Sequence, residues 1–271
     1  MPLVKSDDIE IYYEIQGAGT PLLLINGWGG NLDSWSKQMV DLLAEKHMVI
    51  TLDNRGTGRS GKPDYPYTMD MMAADCAAVL DAVGVEKSHV MGFSMGGIIT
   101  QTFGLNYPER TLSLVLCGTQ AGGLHRISSD PKVQMDLALI ADPLPEMTER
   151  DRTIKLLYLL YSSEYVEANL EALVEDETYS DYPTPDYALM RQSQAIAGFD
   201  SYDRLPQMRY PVLVMTGTED VLVPPENSEV LVERIPDAEL VRISGCGHGF
   251  LKQKTGEAVG HILGFLGRVD G

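Results

Sequence analysis

One serine stands where its hydroxyl could act as a nucleophile. Ser94 directly follows the apolar segment 88–93, and a helical pattern begins directly after it at Met95. Gly92 and Gly96 flank it, which gives the G-x-S-x-G pattern of a nucleophile elbow, a sharp strand-to-helix turn that exposes the hydroxyl. Small neighbours are needed because such a serine is held in a strained backbone conformation. The placement between strand and helix therefore predicts a catalytic serine, in preference to a glycine-rich turn with an incidental one.

A serine nucleophile needs a base, and His248 is the histidine best placed to provide it. A hydroxyl is weakly nucleophilic until an imidazole accepts its proton and an acid orients the imidazole. In elbow hydrolases the acid and then the histidine follow the serine along the chain. His248 lies in the glycine-rich loop 244–250, directly after the strand-like run 239–243. The remaining histidines are expected to have surface or packing roles: His47, His89, His125 and His261.

An oxyanion formed at the attacked carbonyl needs two backbone donors. One comes from the residue after the nucleophile and the other from an early strand-to-helix loop. The first donor is therefore predicted to be the N–H of Met95. The second lies in the loop 26–30, after the apolar run 21–25, and the N–H of Trp28 is the best candidate.

The acid is expected after the run 212–215. This run is short, apolar and bounded by Pro211 and Gly217, which is typical of a buried parallel strand. The loop that follows carries two adjacent carboxylates, Glu219 and Asp220.

Five runs of the sequence together resemble the α/β-hydrolase superfamily, especially its small serine esterases, enol-lactonases and cofactor-free haloperoxidase-like members. The runs are 26–30, 53–60, 92–97, 217–220 and 247–248, in the family's order. Each motif alone is weakly specific, whereas five in the right order are strongly so. The resemblance covers the chain apart from about residues 121–205.

The resemblance implies that Asp220 is the acid of a Ser-His-Asp triad. Its spacing from Gly217 fits the family's G-x-x-D-x-x-x-P turn, and Glu219 is expected to point away. Some relatives carry the acid after the preceding core strand, but the run 112–117 is followed here by Gly, Thr and Gln. The sequence departs from the family at Asn26, where histidine is usual, and an asparagine can still hydrogen-bond the loop.

The glycine-rich run 56–61 matches a dinucleotide-binding pattern but is not expected to bind a nucleotide. Such a site needs a helix that opens directly from the loop, whereas residues 62–66 cannot continue as a helix. A P-loop would need serine or threonine where Pro63 stands. Within the resemblance this run is a structural loop near the active-site entrance, held by Asp53 and Arg55.

Apolar runs alternate with helical patterns along most of the chain. This alternation predicts an α/β protein with a mostly parallel central sheet and helices on both faces. The resemblance implies that this sheet has the α/β-hydrolase fold. A hairpin is expected where residues 9–15 alternate. Strands are predicted near 22–26, 48–53, 88–93, 112–117, 211–216 and 239–243. Segment 121–205 carries helical patterns alone, so we predict a helical cap inserted after the sixth core strand, with residues 1–120 and 206–271 as the core.

The predicted cap contains several tyrosines that could line an apolar pocket, although packing of the cap onto the core is the simpler role for each. They are Tyr158, Tyr161, Tyr165, Tyr179, Tyr182 and Tyr187. No substrate-binding residue is assigned among them.

Composition limits the partners of the chain. Its net charge of −18 argues against nucleic acid or an anionic membrane as a partner. Cys76, Cys117 and Cys246 lack metal-type spacing, and Cys246 is expected to be a small loop residue and not a nucleophile. No run is long enough to span a membrane, and the first residues lack a signal-peptide pattern. We therefore expect a cytoplasmic protein with no metal, no cofactor and a small-molecule substrate.

The predicted function is hydrolysis of a carboxylic ester or lactone through an acyl-enzyme on Ser94. Two alternatives stay open: hydrolysis of a C–C bond in ring-cleavage products by the same triad, and a ligand receptor with slow turnover. Dehalogenation and epoxide opening are disfavoured because they use a nucleophilic carboxylate at the elbow. The sequence does not determine the acyl or alcohol preference or the oligomeric state.

Overall fold

The structure, a computed structural model, describes residues 2–142, 144–178 and 181–271. Tyr179, one of the tyrosines considered above, lies outside the described residues. Within these ranges no helix combines the length and the apolar character needed to cross a membrane.

One sheet of eight strands forms the centre of the described chain, in the order β1-β2-β4-β3-β5-β6-β7-β8. The strands are Leu3–Ser6 (β1), Ile9–Gln16 (β2), Thr20–Ile25 (β3), His47–Leu52 (β4), Ser88–Phe93 (β5), Thr111–Cys117 (β6), Val212–Gly217 (β7) and Ala238–Ile243 (β8). Strand β2 pairs antiparallel with both β1 and β4, and every other pairing is parallel. The mostly parallel sheet and its N-terminal hairpin are therefore confirmed.

Ten α-helices lie in the described ranges. They are Lys37–Ala44 (α1), Met69–Ala82 (α2), Met95–Asn106 (α3), Pro131–Ala141 (α4), Glu149–Leu160 (α5), Ser163–Thr178 (α6), Asp186–Ala197 (α7), Glu226–Arg234 (α8), Phe250–Gln253 (α9) and Thr255–Asp270 (α10).

The central strands are buried on both faces, which explains why they read as continuous apolar runs. Along β3, Leu23 and Ile25 pack on the side of α2 and α3, whereas Leu22 and Leu24 pack on the side of α1 and α10. All four side chains are fully buried. The sheet is thus covered by helices on both sides, as the alternation of strands and helices predicts.

Helices α4 to α7 follow β6 and precede β7, so the sequence leaves the sheet after its sixth strand and returns for the seventh. A small cluster of their own, which includes Leu157, Val166 and Val174, is separate from the two clusters on the sheet. Helix α5 begins with a capping box between Thr148 and Asp151 that satisfies its first N–H groups. These inserted helices lie where a cap is predicted.

Candidate active site

Ser94 occupies the turn between β5 and α3 in a strained conformation. Its φ is 56° and its ψ is −117°, a combination that L-residues seldom adopt. The Ser94 N–H donates to the carbonyl of Cys117 at 2.8 Å, which fastens the turn to β6. A Cβ on Gly92 would lie 2.1 Å from the Gly96 carbonyl, and one on Gly96 would lie 2.0 Å from the Ile25 carbonyl. The two glycines are therefore required for the strand and the helix to approach this closely.

Asp220 and His248 form a buried hydrogen-bonded pair. Nδ1 of His248 lies 2.7 Å from Oδ2 of Asp220, and both side chains are almost completely buried. The other carboxylate oxygen accepts the N–H groups of Leu222 and Val223 at 2.9 and 2.8 Å, which fixes the orientation of the carboxylate. Because an ionised carboxylate only accepts, the neutral imidazole that fits this contact carries its proton on Nδ1 and its lone pair on Nε2.

The lone pair on Nε2 of His248 is available to a substrate or a nucleophile. This atom is buried and has no hydrogen-bond partner in the described chain. The imidazole lies 4.8 Å from the Phe93 ring, centroid to centroid, and Phe93 directly precedes Ser94. The structure thus brings the predicted acid and base together and sets the base beside the elbow.

The two residues predicted to provide the oxyanion donors line the same cavity as Ser94. Trp28 and Met95 are among its lining residues. Neither N–H donates to an acceptor among the described residues, whereas the neighbouring N–H of Gly27 donates to Oδ1 of Asn26 at 2.7 Å. Asn26 also donates from Nδ2 to the carbonyl of Asn31 at 2.7 Å. This asparagine therefore holds the loop that carries Trp28, as a hydrogen-bonding side chain there is expected to do.

Helix α7 positions the same loop from the opposite side. Gln192 is completely buried, and its Oε1 accepts the Gly29 N–H at 2.8 Å. The indole N–H of Trp28 donates to the Leu189 carbonyl at 2.9 Å, and Thr184 donates to the Gly29 carbonyl at 2.9 Å. The inserted segment is thus hydrogen-bonded to the loop that carries Trp28.

The cavity at Ser94 has a volume of about 380 Å³ and a mostly apolar lining. Ile98 contributes from α3, Leu137 from α4 and Ile196 from α7, so the core and the inserted helices both form its wall. Its size and lining suit an apolar group of a small ligand.

One charged side chain lies in the wall of this cavity. It belongs to Arg126, which is exposed and forms no ion pair or hydrogen bond with any residue the structure describes. The backbone beside it is fixed, because Asn227 accepts the Ile127 N–H at 2.9 Å and donates to the Ile127 carbonyl at 2.8 Å. The backbone next to Arg126 is therefore held at the cavity, and its guanidinium donors are paired with no described residue.

The glycine-rich run 56–61, which is not expected to bind a nucleotide, is held by contacts of Asp53 and Arg55. Asp53 accepts the N–H groups of Leu32 and Arg59 at 2.8 and 2.6 Å, and burial raises the pKa of this carboxyl. Arg55 forms a bidentate ion pair with Asp75 at 2.6 and 2.7 Å, and both side chains are buried. These contacts hold the glycine-rich run as a loop.

Cys246, close to His248 in the sequence, is completely buried, and burial raises the pKa of its thiol. A buried thiol with a raised pKa is a poor nucleophile because the thiolate is the reactive form.

Sequence reasoning missed Gln192, Asn227 and Arg126. A buried glutamine inside a helical pattern is one weak signal, since a polar side chain without solvent needs partners. Nothing in the sequence indicates which loop Gln192 meets, because that contact spans more than 160 residues.

Comparison with known proteins identifies the family of the chain. Residues 20–255 match the model of the alpha/beta hydrolase fold. The chain is 35% identical, over the full length of both proteins, to a candidate carbamate hydrolase, RutD, of Azorhizobium caulinodans. It is 31% identical to the rhodomycin D methylesterase DnrP of Streptomyces peucetius over 91% of each protein.

A solved structure shows the same architecture. The malate-bound thermophilic esterase of Thermogutta terrifontis aligns with a TM-score of 0.83 and 25% identity, over 99% of this chain and 98% of that one. The chain is therefore a hydrolase that belongs to the α/β-hydrolase fold family.

Proposed function

We propose that this hydrolase cleaves a carboxylic ester or a lactone through an acyl-enzyme formed on Ser94. The observation that carries the proposal is the arrangement at the elbow: a strained serine at an apolar cavity, beside a histidine whose Nδ1 is 2.7 Å from a buried aspartate. A serine beside a histidine that an aspartate orients is the arrangement that a general-base-activated nucleophile uses, which supports the proposal.

The proposed reaction begins with transfer of the Ser94 hydroxyl proton to Nε2 of His248. The serine oxygen bonds to the carbonyl carbon, and the carbonyl electron pair moves onto its oxygen, which the N–H groups of Trp28 and Met95 stabilise. The C–O bond to the leaving alcohol then breaks, and the imidazolium returns its proton to that oxygen. Asp220 keeps the imidazole in the required tautomer and stabilises the imidazolium.

Water completes the proposed cycle. His248 accepts a proton from a water molecule as the water oxygen attacks the acyl carbon, and the second tetrahedral intermediate releases the carboxylic acid product. The proton returns to the oxygen of Ser94, so the enzyme is regenerated without a metal or an organic cofactor in any step.

We also propose that residues 121–205 form a cap domain over a core of residues 1–120 and 206–271. The cavity wall supports this division, since it takes side chains from α4 and α7 as well as from the core. In this proposal the cap sets the size of the acyl or alcohol group that fits. The single charge in the wall, on Arg126, favours a substrate that carries a carboxylate in addition to its ester or lactone group.

A carbamate is the second candidate substrate, and the specific observation in its favour is the name of the relative that is 35% identical. The same attack applies to a carbamate carbonyl, with an alkoxide or an amine as the leaving group. The methylesterase relative points instead to an oxygen ester. Either substrate would use the same nucleophile, base and oxyanion donors.

Covalent labelling tests the nucleophile independently of the natural substrate. A fluorophosphonate, which reacts with activated serines, should add one label per chain, and peptide mass analysis should locate it on Ser94. The Ser94→Ala variant should take up no label, while its circular dichroism and melting temperature stay those of a folded protein. A label that reaches another residue, or that survives in the variant, would overturn the assignment.

Rates with p-nitrophenyl esters of increasing acyl length test the reaction class. Turnover at ordinary enzyme rates that falls with acyl length would support a small-pocket esterase. Full labelling of Ser94 without ester, lactone or carbamate turnover would contradict the proposed reaction and favour C–C hydrolysis or a ligand receptor.

A further inference from the structure

A second polar cluster lies at the opposite edge of the sheet from Ser94. His47 begins β4, His89 lies at the start of β5, Ser113 lies near the start of β6, and Asp270 ends α10. We call these four residues the amino-edge cluster. Both imidazoles and the serine are buried, whereas the side chain of Asp270 is 31% exposed. The proposed catalytic mechanism uses none of them.

The two imidazoles converge on one carboxylate. Nε2 of His89 lies 3.0 Å from Oδ1 of Asp270, and Nε2 of His47 lies 3.4 Å from Oδ2 of the same residue. One ligand-type atom from each of these three side chains lies within 4.8 Å of the other two. Two nitrogens of buried imidazoles and one oxygen of a partly exposed carboxylate are therefore close together.

His47 is the residue that protein contacts do not satisfy. It is 3% exposed, and neither of its ring nitrogens has a hydrogen-bond partner in the described chain. Buried polar groups in native proteins are almost always hydrogen-bonded, to protein or to water, or bound to an ion. His47 is a buried imidazole with no hydrogen bond in the described chain, and its Nε2 lies 3.4 Å from a carboxylate oxygen, so its ring nitrogens are available to a ligand at this point.

His89 has the second contact that a metal-bound histidine requires. Its Nδ1 lies 2.7 Å from Oγ of Ser113, and the hydroxyl can donate to Nδ1 or accept from it. When a metal replaces the proton on Nε2, Nδ1 must carry the hydrogen, and Ser113 is placed to accept it. Such outer contacts orient ligating histidines in metal sites.

We propose that His47, His89 and Asp270 bind a divalent transition metal ion of the zinc class, in a site separate from the active site. Two imidazole nitrogens and one carboxylate oxygen are ligands that zinc accepts at about 2.0–2.2 Å in a tetrahedral arrangement. Such ligands lie about 3.3 Å from one another, so the present spacings need only small movements of side chains. Water would complete the coordination, through the opening where Asp270 is exposed.

The ligand types exclude the harder cations and suggest what the ion does. Calcium and magnesium prefer all-oxygen ligands, and two of the three donors here are imidazole nitrogens. His47 and His89 come from the sheet, and Asp270 comes from the end of the last helix. The bound ion would therefore fasten α10 to the sheet and raise the stability of the fold without entering the reaction.

Calorimetry with zinc chloride tests the site on protein that carries no histidine tag and has been freed of metal with a chelator. We expect one zinc ion per chain and a higher melting temperature in the presence of zinc. His47→Gln and Asp270→Asn should each weaken zinc binding at least tenfold and remove most of the rise in melting temperature. His261→Gln is the matched control, because His261 is an exposed histidine of the same helix, and it should leave both results unchanged.

The titration is repeated in the Asp220→Asn background, because the pair formed by Asp220 and His248 is itself a possible zinc ligand set. One remaining ion in that background would support the amino-edge cluster, and loss of zinc binding there would overturn it. Equal zinc affinity in wild type and His47→Gln, or no binding by the wild type, would also overturn it. If His47→Gln does not fold, cobalt absorption spectra of the Asp220→Asn protein decide. Tetrahedral ligand-field bands would support the site, and their absence would exclude it.

Discussion

The two edges of the sheet each hold a serine, a histidine and an aspartate, and only one of the two sets can be a hydrolytic site. We call the end of the sheet where Ser94, Asp220 and His248 lie the carboxyl edge. There Nδ1 of His248 lies 2.7 Å from Asp220, and Nε2 has no partner in the described chain. At the amino edge, His89 meets Ser113 through Nδ1 and Asp270 through Nε2, at 2.7 and 3.0 Å. Hydrogen bonding alone does not separate the two sets, because a catalytic histidine also contacts a serine through one nitrogen and an aspartate through the other.

The two serines differ even more than the histidines. Ser94 is half-buried at a cavity and has a φ of 56°. Ser113 lies inside β6, is completely buried, and lines none of the described cavities. Residue types and hydrogen bonds alone thus do not make a nucleophile. A strained turn that exposes the hydroxyl at a cavity is also required.

The largest expected effect separates the two serines. Ser94→Ala should lower kcat with a p-nitrophenyl ester by about 10⁴-fold or more, because it removes the proposed nucleophile. Ser113→Ala should leave kcat within about twofold of wild type and lower stability by about 1–3 kcal/mol, since His89 loses a buried hydrogen bond. Steady-state kinetics and urea unfolding of the two variants provide the measurements. A comparable loss of kcat in both variants would break the distinction between the edges.

The aspartates give the second contrast. Asp220→Asn should lower kcat by about 10⁴-fold, because an amide nitrogen facing Nδ1 would favour the wrong tautomer of His248. Asn keeps an acceptor for the N–H groups of Leu222 and Val223, so the loop should stay folded. Asp270→Asn makes the same chemical change at the amino edge and should leave kcat unchanged. Near-normal kcat in Asp220→Asn would remove Asp220 from the proposed triad.

The sequence predicts the carboxyl edge far better than the amino edge, for a physical reason. A nucleophile elbow is a local pattern: small residues at Gly92 and Gly96 are needed because backbone atoms there approach within contact distance. The amino-edge cluster has no such pattern, and its partners His89 and Asp270 lie 181 residues apart. Their meeting depends on how the last helix packs on the sheet, which periodicity does not determine.

The same reasoning applies within the proposed cap. The helical patterns predicted for segment 121–205 correspond to α4 to α7 in the structure, because propensity and capping act locally. The contact of Gln192 with the loop that carries Trp28 depends on how α7 packs against the core. That contact is tertiary, and one sequence does not encode it in any readable pattern.

A smaller effect is expected where α7 supports the carboxyl edge. Gln192→Leu keeps the volume of the side chain but removes the acceptor for the Gly29 N–H, so the loop with Trp28 should lose its fixed position. We expect kcat to fall by about 10- to 100-fold, less than for complete loss of an oxyanion donor. Gln194→Leu, on the exposed side of the same helix, is the control and should be neutral. Equal kcat values for the two variants would show that α7 does not position the loop.

The smallest expected effect concerns which substrate the cavity at Ser94 prefers. Arg126→Gln removes the one charge in the cavity wall and leaves the apolar lining intact. We expect KM for p-nitrophenyl hemisuccinate, which carries a free carboxylate, to rise about tenfold, since a charge-assisted hydrogen bond contributes about 1.5–3 kcal/mol before solvent screening. KM for p-nitrophenyl butyrate, which has an acyl chain of similar length and no charge, should not change.

The control for net charge is Arg209→Gln, which removes an exposed arginine outside the cavity wall. If both arginine variants raise KM for the acidic ester equally, the effect comes from the overall field of a protein with a net charge of −18 and not from a contact. A rise confined to Arg126→Gln that disappears in 1 M salt would indicate a solvent-exposed ion pair at the mouth of the cavity. A rise that persists in salt would indicate that the bound substrate covers the guanidinium, because covered charges are screened much less than exposed ones. The salt dependence of KM in this one variant therefore reports how deeply a substrate enters the cavity at Ser94.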